Sequence, residues 1–132
     1  MGKLTFYFDR CFGKRFPEAL RRANPPFNVE YHQKCGFKQD TTDDEWLEVV
    51  GKRGWVVFSH DRKFHSEALE TAAVVQFGVG CFYLYGANST TWEKLELFIR
   101  AHRKIFERAA SEKRPYIYNV GASGRLKQIR IS

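Results

Sequence analysis

A chain of 132 residues that is 43% hydrophobic and 16% aromatic has enough apolar side chain to pack the core of one domain, which excludes an unstructured chain. Lys and Arg outnumber Asp and Glu by 22 to 15, for a net charge of +7, so a polyanionic partner or substrate is favoured, with a merely soluble basic protein as the alternative. Cys11, Cys35 and Cys81 are odd in number and far apart, which excludes a disulfide framework and a paired C-x-x-C zinc site and fits reduced thiols.

The opening MGKLTFYFDR has a strand-like run from Leu4 to Phe8 that meets Asp9 too soon for a signal-peptide core. No later apolar run approaches a membrane span, so a cytoplasmic protein without membrane attachment is expected. Phe16, Ala19, Leu20 and Ala23 then recur at helical spacing and stop before Asn24-Pro25-Pro26. Asn28 to His32 reads as a second short strand and Lys34 to Thr42 as loop. Thr42-Asp43-Asp44-Glu45 has the form of a capping box, and Trp46, Leu47, Val49 and Val50 supply the apolar face of a helix that ends within Gly51 to Gly54.

Trp55 to Phe58 is the next strand. Ser66 to Phe77 reads as a helix closed by Gly78 and Gly80, and Cys81 to Tyr85 as a fourth strand. Trp92 to Ala110 carries an apolar stripe and is the longest expected helix. The tail RPYIYNVGASGRLKQIRI reads as two strands about a Gly-Ala-Ser-Gly turn. Alternating elements to residue 110 predict an α/β fold with a mainly parallel sheet. Residues 1–132 are expected to form a single domain, about 1–110 its α/β core and 114–132 a C-terminal β-hairpin.

In parallel sheets, reactive groups gather outside the carboxyl ends of strands, where several loops converge. Asp9 ends the first strand, Asp61 follows the strand after Gly54, and Asp44 stands at a helix start. Three carboxylates at one crevice repel one another unless a cation sits among them, and hard oxygen donors select Mg2+ or Mn2+. Each acid also has an ordinary reading: Asp44 as a partner of the helix dipole, Asp9 and Asp61 as turn or cap residues. His60 and His65 flank Asp61, but a helical His-Asp metal site does not suit the strand-like VVFSHD. His32 and His102 read as surface or interface residues, and Tyr83, Tyr85, Tyr116 and Tyr118 as core and sheet pairs.

The order FYFD (6–9), DDEWLEVV (43–50) and GWVVFSHDRKF (54–64) resembles the PIN and PIN-like domains over roughly the first 90 residues, through short motifs. The resemblance implies a three-layer PIN-like domain in which Asp9, Asp44 and Asp61 hold Mg2+ or Mn2+ and are catalytic. Ser59 stands in the place of the family's hydroxyl residue before the last acid. Where family members frequently carry a second acid two residues on, this chain has Lys63. A further ligand then comes from Glu67 or Asn88, and Asp43 competes with Asp44. Ser59, Lys63, Arg62, Arg10 and Lys14 are expected to contact substrate.

The activity implied is that of a metal-dependent endoribonuclease resembling the toxin of a bacterial toxin-antitoxin pair, with RNA as substrate, an antitoxin protein as partner and a homodimer as a further expectation. The alternative is a non-catalytic nucleic-acid-binding or regulatory module on a degenerate PIN-like fold, motivated by Lys63. Basic clusters at Lys14, Arg15, Arg21 and Arg22, at Arg100, Arg103, Lys104 and Arg108, and at Arg125, Lys127 and Arg130 are either solvated faces or a track for a phosphate backbone.

Overall fold

The computed structural model describes residues 4–38, 40–60 and 68–131, apart from the side chains of Asp43 and of residues 68–70. Its strands are β1 (Thr5–Phe8), β2 (Asn28–Tyr31), β3 (Val56–Ser59), β4 (Gly80–Leu84), β5 (Tyr116–Val120) and β6 (Leu126–Ile129). Its helices are α1 (Arg15–Arg22), α2 (Asp43–Lys52), α3 (Ala68–Gln76) and α4 (Thr91–Ser111), with a single 3-10 turn at Arg10–Phe12. One six-stranded sheet runs in the order β2-β1-β3-β4-β5-β6. Neighbours from β2 to β5 are parallel, and β6 returns antiparallel to β5. The C-terminal hairpin therefore extends the sheet rather than standing apart from it.

Successive strand side chains point to opposite faces, and both faces here are covered, so the strands read as unbroken apolar runs. Phe6, Phe8, Val56, Phe58, Phe82 and Leu84 pack on one side with Phe16 and Leu20 of α1 and Leu97, Phe98, Ala101 and Ile105 of α4. Tyr7, Val57, Cys81 and Ile117 pack on the other with Trp46, Leu47 and Val50 of α2 and Ala73 and Val74 of α3. Among the described residues, α1 and α4, the sheet, and α2 and α3 make the three layers. Phe58 lies at the centre of the larger core, with ring centroids 4.8 Å from Phe6, 4.9 Å from Phe8 and 5.3 Å from Phe82. Burying each such ring contributes about 1.5–3 kcal/mol. Among the described residues, no helix is long and apolar enough to cross a membrane.

Several local expectations are corrected. Thr42 does precede α2 in extended conformation, but its side chain makes no capping bond. The capping box forms instead at α4, where Thr90 Oγ1 accepts from the Glu93 N–H at 3.1 Å and the Glu93 carboxylate accepts from the Thr90 N–H at 2.9 Å. Both sites read T-x-x-E, so residue type alone does not separate them. The fourth strand ends at Leu84, and the side chain of Tyr85, just beyond it, is exposed rather than packed in the core.

Gly80 opens β4 directly beneath the buried Tyr116 ring: a Cβ there would lie 2.4 Å from Tyr116 Cζ. With Tyr116 enclosed, the ring cannot swing away. Gly80→Ala is expected to lower unfolding free energy by about 1–3 kcal/mol, the cost of overpacking a core, as measured by urea denaturation; an unchanged midpoint would show that the ring relaxes freely.

Candidate functional site

The chain leaves β1, pairs β2 on one side of it, and returns to place β3 on the other. The loops after β1 and β3 consequently part company at the carboxyl ends of two adjacent strands, where parallel sheets open a crevice. Asp9 is the first residue beyond β1, and its N–H continues the ladder by donating to the Phe58 carbonyl of β3 at 3.1 Å. Its carboxylate, 3% exposed, accepts from the Cys11 N–H at 3.1 Å and caps the 3-10 turn. The cap role read from the sequence is thus real and coexists with a place in the crevice.

The start of α2 is drawn to the same end. Arg10, beside Asp9, donates from Nη1 to the Thr41 carbonyl at 3.3 Å, immediately before the Thr42 cap. Asp44 stands exposed in the first turn that follows. Arg10 is half-buried and engaged with this loop, so its described contact is with the protein itself. Lys14 is exposed after the 3-10 turn, and Asn88 is exposed in the loop beyond β4, at the carboxyl end of the sheet.

Asp61, Arg62, Lys63 and Glu67, and the side chain of Asp43, lie outside the described residues. Among the described residues, no three His, Cys, Asp or Glu side chains are grouped to hold a metal ion. Asp9 and Asp44 supply hard carboxylate oxygens at one end of the sheet, the donor type that suits Mg2+ or Mn2+. That chemistry fits a divalent cation, with completion of the set depending on the segment after His60.

Ser59, the last residue of β3, is fully enclosed. His60 is also buried, 4% exposed, and its ring stacks on Phe12 with centroids 4.0 Å apart. Its Nδ1–H donates to the Leu84 carbonyl at 2.9 Å, which leaves the neutral ring with a lone pair on Nε2, buried and without a partner. Burial pushes its pKa down to about 4, opposed by the Leu84 carbonyl and helped by the Lys94 charge.

His32, read from sequence as a surface or interface residue, is buried at the end of β2. It donates from Nε2 to the Lys38 carbonyl and accepts the Tyr7 hydroxyl at Nδ1, both at 3.1 Å, fastening the β2–α2 loop to β1. Lys94, which sequence reasoning did not single out, sets its ammonium 5.8 Å from the centroid of the Phe12 ring. Partial burial lowers its pKa, against a raising influence from Cys11. The only sequence signal for it was a helical position off the apolar stripe, which Lys shares with every solvated residue.

Comparison with known proteins returns one family: the model described as PIN like domain matches residues 4–86. No curated protein and no solved structure matches the chain. The matched span runs from the residue before β1 to just past β4 and includes Asp9, Asp44 and Asp61.

His60 has a consequence for stability against pH. In the unfolded chain its pKa is about 6.5, in the folded protein about 4, so above pH 6.5 neither state holds the proton and the folded state has its full stability. As pH falls from 6.5 to 4 only the unfolded state gains a proton, and about 3 kcal/mol is lost before the effect levels off. His60→Asn keeps a donor for the Leu84 carbonyl without this titration. Urea unfolding in EDTA at pH 7 and pH 4 should show the wild type losing about 3 kcal/mol more than the variant; equal losses would mean that His60 titrates normally.

Proposed function

The chain belongs to the family of PIN-like domains, and from that premise we propose that it is a metal-dependent endoribonuclease acting at the crevice between β1 and β3. PIN-like domains are generally nucleases, and a net charge of +7 suits a polyanionic substrate. The observation that supports the reading best is Asp9, locked beyond β1 by its N–H bond to the Phe58 carbonyl, with the first turn of α2 drawn to the same end by Arg10 and Thr41.

Asp9, Asp44 and Asp61 would hold Mg2+ or Mn2+. Such an ion, when bound, polarises a phosphodiester and lowers the pKa of water beside it. The chain's own residues do the rest. The 3-10 turn fixes the Asp9 rotamer, and the enclosed Ser59 and His60 keep water out from behind it. Lys63 and Arg62 would pair with phosphates flanking the scissile bond, and the exposed Lys14 would add to the attraction for the strand. An RNase of this kind would act as the toxin of a toxin-antitoxin pair, held in check by an antitoxin protein.

Two experiments test the reading. Asp9→Asn preserves an oxygen acceptor for the Cys11 N–H while removing a charge, so cleavage of single-stranded RNA in Mn2+ should fall by at least about 100-fold, the scale of losing one electrostatic stabiliser, with the thermal midpoint unchanged. Undiminished cleavage would remove Asp9 from the site, and no cleavage by the wild type, with RNA binding retained, would assign the chain to the non-catalytic module instead.

Lys63 replaces an acid of the family pattern, and we assign it to phosphate. Lys63→Ala should weaken RNA binding and flatten its log-log salt dependence by about 0.7, the single-strand slope per phosphate, leaving Mn2+ affinity unchanged by calorimetry. If the wild type binds no Mn2+ and Lys63→Asp binds it tightly, Lys63 is a substitute for the metal rather than a clamp.

A further inference from the structure

Beside the crevice, a second concavity of about 220 Å³ opens between the loop after β4, the first turns of α4 and the turn of the β5–β6 hairpin, lined by Tyr85, Ser89, Lys94, Leu97, Arg100 and Ala122 with Glu93 and Glu96. It is smaller than a site for a whole drug-sized ligand and of a size for one base. Its walls are held. Arg100 Nη1 donates to the Ala122 carbonyl at 2.8 Å, and Gly124 lies against the Arg100 stem, where a Cβ would come within 3.1 Å. The Tyr85 N–H donates to the Val120 carbonyl at 2.9 Å, yet its side chain is 59% exposed. A large ring on a fixed backbone at the carboxyl end of a strand is left without the packing that aromatic residues ordinarily find.

Lys94 joins this concavity to the crevice. It lines the cavity, and its ammonium also stands over Phe12, in the turn that Asp9 caps. Among the described residues it has no ion pair, and desolvation lowers its pKa, so the cation is held partly out of water without an anion. The two acids of the lining argue against a site for bare phosphate. Glu93 is tied into the helix cap through Thr90, and Glu96, as an acceptor, suits the N–H groups of a base edge.

We propose that this concavity is the subsite for one nucleotide of a single-stranded RNA next to the scissile phosphate, with its base stacked on Tyr85 and the connecting phosphate held by Lys94. The inference rests on the nuclease reading and adds to the crevice a platform that orients the strand. Stacking on an aromatic ring tolerates every base, because each has a π face. The lysine contributes a point charge between the cavity and the turn that Asp9 caps.

The test separates this subsite from catalysis by measuring binding without cleavage. Fluorescence anisotropy of a labelled single-stranded RNA is followed in EDTA, with an abasic nucleotide walked through the sequence. One position should lose on the order of 10-fold in affinity for the wild type and nothing for Tyr85→Ala, which should itself bind the intact RNA about as weakly. Lys94→Ala should lower affinity and the salt slope together, by about 0.7 in the log-log plot, and Lys94→Arg should restore both.

Trp92, 70% exposed and outside the cavity lining, is the control, and Trp92→Ala should bind as the wild type does. Additive losses from the abasic position and Tyr85→Ala, or an equal loss from Trp92→Ala, would overturn the subsite even if cleavage is intact. Absence of both RNA binding and Mn2+-dependent cleavage would overturn the nuclease reading and the subsite with it.

Discussion

The hydrogen bond from the Asp9 N–H to the Phe58 carbonyl carries the β1–β3 pairing one residue past the end of β1, and much of the molecule is arranged around that pair. The bond holds an acidic side chain at the place where the chain changes direction across the sheet. Behind it, Phe6, Phe8 and Phe58 form one packed set of rings, so the strand ends that carry polar groups are fixed to the densest part of the core. A carboxylate on such a base cannot drift by ångströms without disturbing buried aromatics, and that is the positional stiffness a reactive site requires.

The same constraint explains why polar residues accumulate on the inner side of the crevice. Asp9, Ser59 and His60 are all buried, though none belongs to an apolar face. Asp9 and His60 are admitted because a neighbour answers part of their hydrogen-bonding need: the Cys11 N–H for Asp9 and the Leu84 carbonyl for His60. The His60 ring is neutral in the working pH range, so it adds no positive charge behind the acids. Stacked on Phe12, it acts as a flat spacer between the 3-10 turn and the end of β4.

Charge is distributed unevenly around this end. Lys94 shares its position between Phe12 and the cavity beyond β4, whereas Arg100 is committed to the hairpin turn. The β5–β6 hairpin therefore contributes to the rim as well as to the sheet. It lies outside the span that matches the PIN-like family.

Much of the architecture could be read from residue order, because it rests on local patterns. Apolar runs such as TFYF and VVFS state their burial directly, and the turn residues Asn24-Pro25-Pro26 and Gly121 to Gly124 interrupt the chain where elements end. Strand-end placement of Asp9 and the helix-start position of Asp44 follow from the same runs. What escaped depended on partners distant in sequence. His32 is enclosed although nothing near it in sequence announces that Tyr7 and Lys38 will close around it. Tyr85 was placed in a strand that stops one residue earlier, and of two T-x-x-E stretches only Thr90–Glu93 closes as a capping box.

By itself, then, the sequence determined the alternation of elements, the aromatic core and the acids at strand and helix ends, for these follow from periodicity and from residue chemistry within a few positions. Only the tertiary structure decided that β1 stands between β2 and β3, that Lys94 reaches across to Phe12, and that a hairpin turn walls a cavity beside the crevice. Those are contacts between segments tens of residues apart, selected by how whole helices and sheet faces pack, and short-range patterns carry no record of that choice.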